Sequence, residues 1–180
     1  MIASRSDRPA ENPDYEIRLA APDDAEAIRG IYNLEVVEST VTFDLVARSP
    51  EAQRAWLVEH AGVHPAIVVT EGTLPDDQVV VAFGCLSPYR SRPAYSTTVE
   101  NSIYVRRDRQ GRGYGRAILE ELLRLATVHG FHAVMARIVD GHQVSIALHR
   151  SCGFEMVGVE REVGRKFGRW LDVVLMERLL

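Results

Sequence analysis

The run V-E-N-S-I-Y-V-R-R-D-R-Q-G-R-G-Y-G, Val99 to Gly115, concentrates the residues of this 180-residue chain best suited to chemistry. Gly111, Gly113 and Gly115 alternate with Arg112 and Tyr114, and an apolar-periodic segment, Ala117 to His129, follows at once. Glycines ahead of a helix leave backbone N–H groups unshielded and pointing one way. The helix adds its own free N–H groups and the positive end of its dipole, which makes an anion site. Arg106, Arg107, Arg109, Arg112 and Arg116 crowd the same turn. A ligand selected by such a turn carries phosphates. Taken alone, the pattern also fits a tight turn with a solvated basic face. No Gly-x-x-x-x-Gly-Lys-Ser/Thr loop occurs, and Gly-x-Gly-x-Gly after a polar loop is not the Gly-x-Gly-x-x-Gly of a dinucleotide site.

The elements that must hold this turn are set out by hydrophobic period. Val99 to Val105 reads as a strand, with Ile103, Tyr104 and Val105 supplying β-branched and aromatic residues. In the helix behind the turn, Ile118, Leu122 and Leu125 share a face, Leu119 and Leu123 flank it, and Gly130 closes it. Upstream, Tyr15 to Leu19 is a strand, and Pro-Asp-Asp signals a helix from Asp23 to about Val37, with Ala27, Ile31 and Leu34 inward and Ile28 and Tyr32 at the edge. E-S-T-V-T-F, residues 38–43, breaks the helical period. Ser49-Pro50-Glu51 opens a second helix ending near Gly62, with serine as cap and proline first. Ala66 to Thr70 and Val79 to Leu86 are strands joined by a turn, and Pro88 to Tyr95 is a loop rich in aromatics and arginine. Ala133 to Val139 is a strand, Val144 to Ser151 a short helix stopped by Gly153, and Glu155 to Val163 and Trp170 to Arg178 are the last strands. The order β-α-α-β-β-β-α-β-α-β-β implies an α/β fold with a mixed sheet covered by helices on both faces.

Composition narrows the class. With 46% hydrophobic residues the chain makes one domain, Tyr15 to Leu180, and buries about 70% of its unfolded surface. A net charge of −4 and a pI near 5.9 argue against nucleic acid as partner, because the arginine cluster is local. Cys85 and Cys152 lie far apart in apolar contexts and read as buried reduced thiols, without the basic, exposed setting of a nucleophile. Residues 1–14 have no apolar core and read as a disordered leader, not a signal peptide. No apolar run approaches a membrane span, so a soluble, cytoplasmic protein is expected. His129 and His132 straddle a helix-ending glycine and His60 and His64 sit at another helix end, so no metal set is expected.

Gln110-x-x-Gly113-x-Gly115 resembles the pyrophosphate-binding motif of the GNAT acetyltransferase superfamily, and the element order is that of GNAT proteins. S-T-V-T-F, L-S-P-Y-R-S-R-P-A-Y-S-T-T-V-E-N-S-I-Y-V, L-H-R-S-C-G-F and K-F-G-R-W-L-D-V look like the corresponding stretches of the phosphinothricin acetyltransferase family, in the family's order over residues 16–178. The resemblance implies acetyl-CoA as cosubstrate and a small amino-acid-like amine as acceptor, phosphinothricin or methionine sulfoximine among them. It also implies a homodimer. An α-amino group, with a pKa of roughly 7.7–8.0, is largely protonated at neutral pH and must lose a proton before it attacks a thioester. Glu100 matches the family's catalytic glutamate and is the expected base. By its chemistry alone it also fits a solvated strand residue.

His149 matches the position of the GNAT tyrosine or histidine that returns a proton to the leaving thiolate; packing or capping is its other use. The resemblance places the coenzyme on Tyr104, Val105, Gln110, Gly111, Arg112, Gly113, Tyr114, Gly115, Arg116, His142 and Ser145. It places the acceptor among Thr40, Val41, Phe43, Arg92 and Tyr95, with Arg92 offering a planar fork to a carboxylate and Arg90 and Arg161 as competitors. Two positions depart from the family. His142 stands where asparagine is usual, and Thr97 replaces an aromatic, which puts one coenzyme contact and the pocket shape in question. Two other readings remain: acetylation of a protein or peptide N-terminus, which needs an open groove, and a non-catalytic acyl-CoA sensor.

Overall fold

The computed structural model describes residues 15–72 and 77–180; the expected leader and most of the turn after Gly72 lie outside them. Strands β1 (Tyr15–Leu19), β2 (Ala66–Glu71), β3 (Val79–Pro88), β4 (Thr98–Val105), β5 (Ala133–Val139), β6 (Glu155–Lys166) and β7 (Arg169–Leu179) form one sheet in the order β1-β2-β3-β4-β5-β7-β6. Every neighbouring pair is antiparallel except β4 and β5. Helices α1 (Ala25–Glu38) and α2 (Pro50–Glu59) cover one face, α3 (Tyr114–Val128) and α4 (Gln143–Ser151) the other. The mixed sheet between helices is the architecture expected from the element order.

On the α3 face, Ile118, Leu119 and Leu122 are fully buried against Ile67, Val69, Leu86, Val99 and Val134. Each such side chain contributes roughly 1.5–3 kcal/mol. A second cluster packs Ile28, Ile31, Tyr32 and Val36 of α1 on Val68, Val80 and Phe83. The inward stripe of α1 therefore differs from Ala27, Ile31 and Leu34: Ile28 is fully buried and Leu34 is exposed. Both stripes satisfy a 3.6-residue period. The rotation between them is set at the helix start, where Asp24 accepts from Arg18 at 2.6 and 2.8 Å and from the Ala21 amide at 2.7 Å.

Local signals fix the other helix ends. Ser49 Oγ accepts from the Ala52 amide at 3.1 Å with Pro50 at the first position of α2. Helix α3 begins at Tyr114, three residues earlier than its apolar period shows, so Gly115 and Arg116 belong to its first turn. The β6–β7 hairpin runs further than expected at its turn end, to Lys166, with register shifts between Met156 and Gly158 and between Glu160 and Gly164. Bulges of this kind bend a strand and increase its local twist.

Candidate active site

Strands β4 and β5 pair only at Thr98–Ala133, Val99–Val134 and Glu100–Met135. Beyond these, β4 stays with β3 as far as Val105, while β5 stays with β7 as far as Val139. The sheet thus parts into two halves, and a cavity of about 560 Å³ opens in the gap. Its walls are residues 101–105 and 136–139, the glycine turn, and Ser145, Leu148 and His149 of α4. The wall strands present backbone groups to the cavity that no strand pairing occupies.

Gly113 caps α3 at φ +89°, and Gly111 sits at φ +78°. A Cβ on either meets nothing within 4 Å, so the requirement for glycine here is backbone conformation, not space. Left-handed residues before a helix turn successive N–H groups to one side, which suits a phosphate cradle. Gly115 serves differently: a Cβ there would stand 3.3 Å from Leu148 Cδ2, at the contact of α3 with α4. The arginines do not form the open cationic cradle that their crowding implies. Arg107 pairs with Glu35 at 2.8 Å and Glu38 at 2.6 Å, Arg109 with Glu71 and Asp108, Arg112 with Glu71, Arg106 with Asp108 and Arg116 with Glu120. Exposed pairs of this kind contribute little, because solvent screens them. A polyphosphate can displace the acids, but the fixed part of the cradle is backbone.

Alternation along β4 sends Val99, Asn101, Ile103 and Val105 to the α3 face and Glu100, Ser102 and Tyr104 to the α1 face. Glu100, half-buried, has no hydrogen-bond partner among the described residues. Burial raises its pKa above the ordinary carboxylate value; Arg137 opposes that shift and Glu160 adds to it. Tyr104 stacks on Phe83 at 5.1 Å, and burial raises its pKa also. Near these groups, Cys85 is buried and its thiol is pushed up to about 11, so it carries no thiolate at neutral pH.

His149 lies across the sheet from Glu100, and its ring is 4% exposed. Nδ1 is 2.8 Å from the Ser145 carbonyl and Nε2 is 3.0 Å from Asn101 Oδ1. The Asn101 amide nitrogen donates to the Met135 carbonyl at 3.0 Å, which fixes Oδ1 toward the histidine. Both ring nitrogens therefore face acceptors, and only the imidazolium satisfies both. Burial and nearby His142 lower the ring's pKa against that preference.

The loop at residues 40–44 is tied from a distance. Tyr32 Oη lies 2.9 Å from Thr42 Oγ1 and donates to Asp44 at 2.6 Å. Lys166, 4% exposed, donates to the Thr42 carbonyl at 2.8 Å. Gly164 lies so close to the Phe43 ring that a Cβ there would clash with it. Of the expected acceptor residues, Val41 lines the cavity, whereas Thr40, Phe43, Arg92 and Tyr95 stand outside its wall. Arg92 is exposed ahead of the turn Pro93–Tyr95, and Arg90 lies over Tyr89 and Tyr95. The expected coenzyme residues Tyr104, Val105, Gln110, Gly111, Gly113, Tyr114, Gly115, Arg116, His142 and Ser145 all line the cavity. Arg112, outside the wall, pairs with Glu71.

Asn101, Arg137, Glu160 and Lys166 were not singled out by sequence. For Arg137 a signal existed: it is the lone charge in A-V-M-A-R-I-V. Among the described residues no group of three or more His, Cys, Asp or Glu is placed to hold a metal, and no helix is long and apolar enough to cross a membrane.

The parted mixed sheet with a glycine-capped helix at the gap offers a cavity with an anion site at one end. Residues 17–175 match the family model described as the acetyltransferase (GNAT) domain, and the chain belongs to that family. It is 36% identical over 169 residues to a phosphinothricin N-acetyltransferase of Streptomyces coelicolor, covering 93% of this chain and 97% of that one. It is 34% identical to an L-methionine sulfoximine/L-methionine sulfone acetyltransferase of Pseudomonas aeruginosa, covering 89% and 92%. The solved phosphinothricin acetyltransferase of Sinorhizobium meliloti, in complex with acetyl-CoA, superposes with a TM-score of 0.84 at 34% identity, covering 93% and 89%.

Proposed function

We propose that this enzyme moves the acetyl group of acetyl-CoA directly to the α-amino group of a small amino-acid-like substrate of the phosphinothricin or methionine sulfoximine type, with Glu100 as base. The observation that carries the reading is Glu100 itself: a half-buried carboxylate, free of hydrogen bonds, beside the point where the sheet parts. Its raised pKa brings it closer to that of the ammonium it must deprotonate. The names of the relatives support the substrate class, and the bound acetyl-CoA of the Sinorhizobium enzyme supports the donor.

The thioester supplies an electrophilic carbonyl and a thiolate leaving group. The left-handed turn at Gly111 and Gly113, with the first N–H groups of α3 from Tyr114 to Arg116, holds the pyrophosphate. The unpaired edge at Tyr104 and Val105 holds the pantetheine arm, and the Val105 amide polarises the thioester carbonyl. Gln110, Arg112, His142 and Ser145 complete the coenzyme contacts. Thr40, Val41, Phe43, Arg92 and Tyr95 surround the acceptor. Glu100 takes a proton from the ammonium, the C–N bond forms as the C–S bond breaks, and His149 returns a proton to the departing sulfur. Holding amine and thioester together supplies much of the acceleration, and no covalent enzyme intermediate is required. The described domain works as a cytoplasmic homodimer in this reading.

Thiol release from acetyl-CoA across phosphinothricin, methionine sulfoximine, ordinary amino acids, polyamines and short peptides tests it. The expected result is turnover with small amino acids. Turnover with peptides alone overturns the substrate class, and coenzyme binding without any turnover overturns the enzyme reading in favour of a sensor.

A further inference from the structure

We propose that Arg137 is the anion-recognition residue of the acceptor site, its guanidinium taking the α-carboxylate of the amino-acid substrate while Glu100 faces the amine. This rests on the acetyl-transfer reading of the cavity. Met135 pairs with Glu100 in the parallel register, and Arg137 lies two residues further along β5, hence on the same face and just beyond the last pair. Arg137 is one of the residues lining the cavity. It is the exposed residue of a strand whose other members are all buried. A charge in that position needs a reason.

The surroundings of Arg137 supply half of one. Its Nη2 donates to Glu160 Oε2 at 2.6 Å, and Glu160 reaches the same face because β6 is in register with β7 at Val173 and β7 with β5 at Val139. The Arg137 side chain makes no other hydrogen bond among the described residues. A guanidinium offers five N–H donors, so one carboxylate at one edge leaves the other edge open for a second. In an α-amino acid a single carbon separates amine from carboxylate. Base and anion site must therefore be immediate neighbours, and Glu100 and Arg137 are close enough to affect each other electrostatically. Arg92, which the family resemblance favours for this role, is exposed in the loop ahead of Pro93–Tyr95, whereas Arg137 shares a sheet face with Glu100. Binding of a carboxylate to Arg137 also offsets the charge that holds the Glu100 pKa down, so the base strengthens as the acceptor arrives.

The test compares an amino acid with its decarboxylated amine, using methionine sulfoximine or whichever amino acid turns over best. Arg137→Met is expected to raise KM for the amino acid roughly 10–100-fold, the loss of a charge-assisted hydrogen-bonded contact, and to collapse the discrimination between the two acceptors. Arg137→Lys restores part of it, because a point charge replaces the fork. An unchanged acetyl-CoA Kd shows that the variants are folded. A second readout is independent of turnover: the amino acid, added to protein saturated with coenzyme A, raises Tm in the parent and not in Arg137→Met. If that pattern appears without turnover by any acceptor, the transfer reading fails and the anion site stands. Discrimination and Tm shift that survive in Arg137→Met, or that are lost in Arg92→Met alone, overturn the proposal, as does an amino acid that neither reacts with nor stabilises the parent.

Discussion

The glycine-turn end of the cavity and the surroundings of its 41–44 loop are built in opposite ways. The glycine-turn end, which we propose holds the coenzyme, comes from one continuous stretch, strand β4 through the first turn of α3, with help from α4. Its conformation is local: two left-handed glycines and a helix start. Away from the turn, Lys166 holds the Thr42 carbonyl and Gly164 packs on the Phe43 ring across more than half of the chain, and Arg137 reaches Glu160 on another strand. Local structure there is irregular and is held by long-range contacts. The contrast teaches that one half of the site is rigid by backbone geometry and the other by side-chain ties, so the two halves should fail separately.

The largest separation is expected at the cap of α3. Gly113→Val forces a β-branched residue to φ near +89°, a conformation that disfavours L residues by about 1–2 kcal/mol or more, so the turn reorganises. Acetyl-CoA affinity measured by calorimetry should fall roughly 10-fold or more on the same grounds. An unchanged Kd removes the turn from the coenzyme site.

A smaller effect is expected at Lys166, confined to the other half. Lys166→Met strips the Thr42 carbonyl of its donor in a buried setting, a loss of about 1–3 kcal/mol for the ordered loop. Steady-state kinetics should show a higher acceptor KM with an unchanged acetyl-CoA Kd. A rise in both constants would make the two halves one cooperative unit.

The smallest effect is on stability. Glu100 has its folded pKa raised, so its folded form favours the proton. The stabilisation that goes with the proton is fully present below the unfolded value of 4.5 and is lost as pH rises through the higher folded value. At pH 7 the carboxylate therefore costs stability. Glu100→Gln should raise Tm at pH 7, with the gain disappearing below pH 4.5. A variant less stable at neutral pH would mean that Glu100 has a stabilising partner in solution.

The same contrast explains what could be read without coordinates. Gly113, Gly115, Ser49 and Pro50 act within a few residues of themselves, so turn and caps were legible, and so was the element order from period alone. Ile28 and Leu34 were exchanged because two stripes of α1 satisfy one period and the Arg18–Asp24 pair chooses between them. The arginine-rich turn was over-read as open positive charge because Glu35, Glu38 and Glu71 come from distant elements. The contacts of Lys166 and Glu160 were invisible in the sequence, since a bulged hairpin brings them to a loop more than a hundred residues upstream or to a neighbouring strand. Glu100 and His149 were proposed by resemblance. That they lie on opposite faces, with Asn101 turned to the histidine, follows only from strand alternation joined to the placement of α4.

The most direct test is single-turnover acetyl transfer by Glu100→Gln, with acetyl-CoA binding measured on the same sample. The coenzyme Kd should match the parent's, while the transfer rate falls about 10²–10⁴-fold, the usual weight of a general base. Transfer at the parent's rate, with binding intact, would contradict the assignment of Glu100 as base.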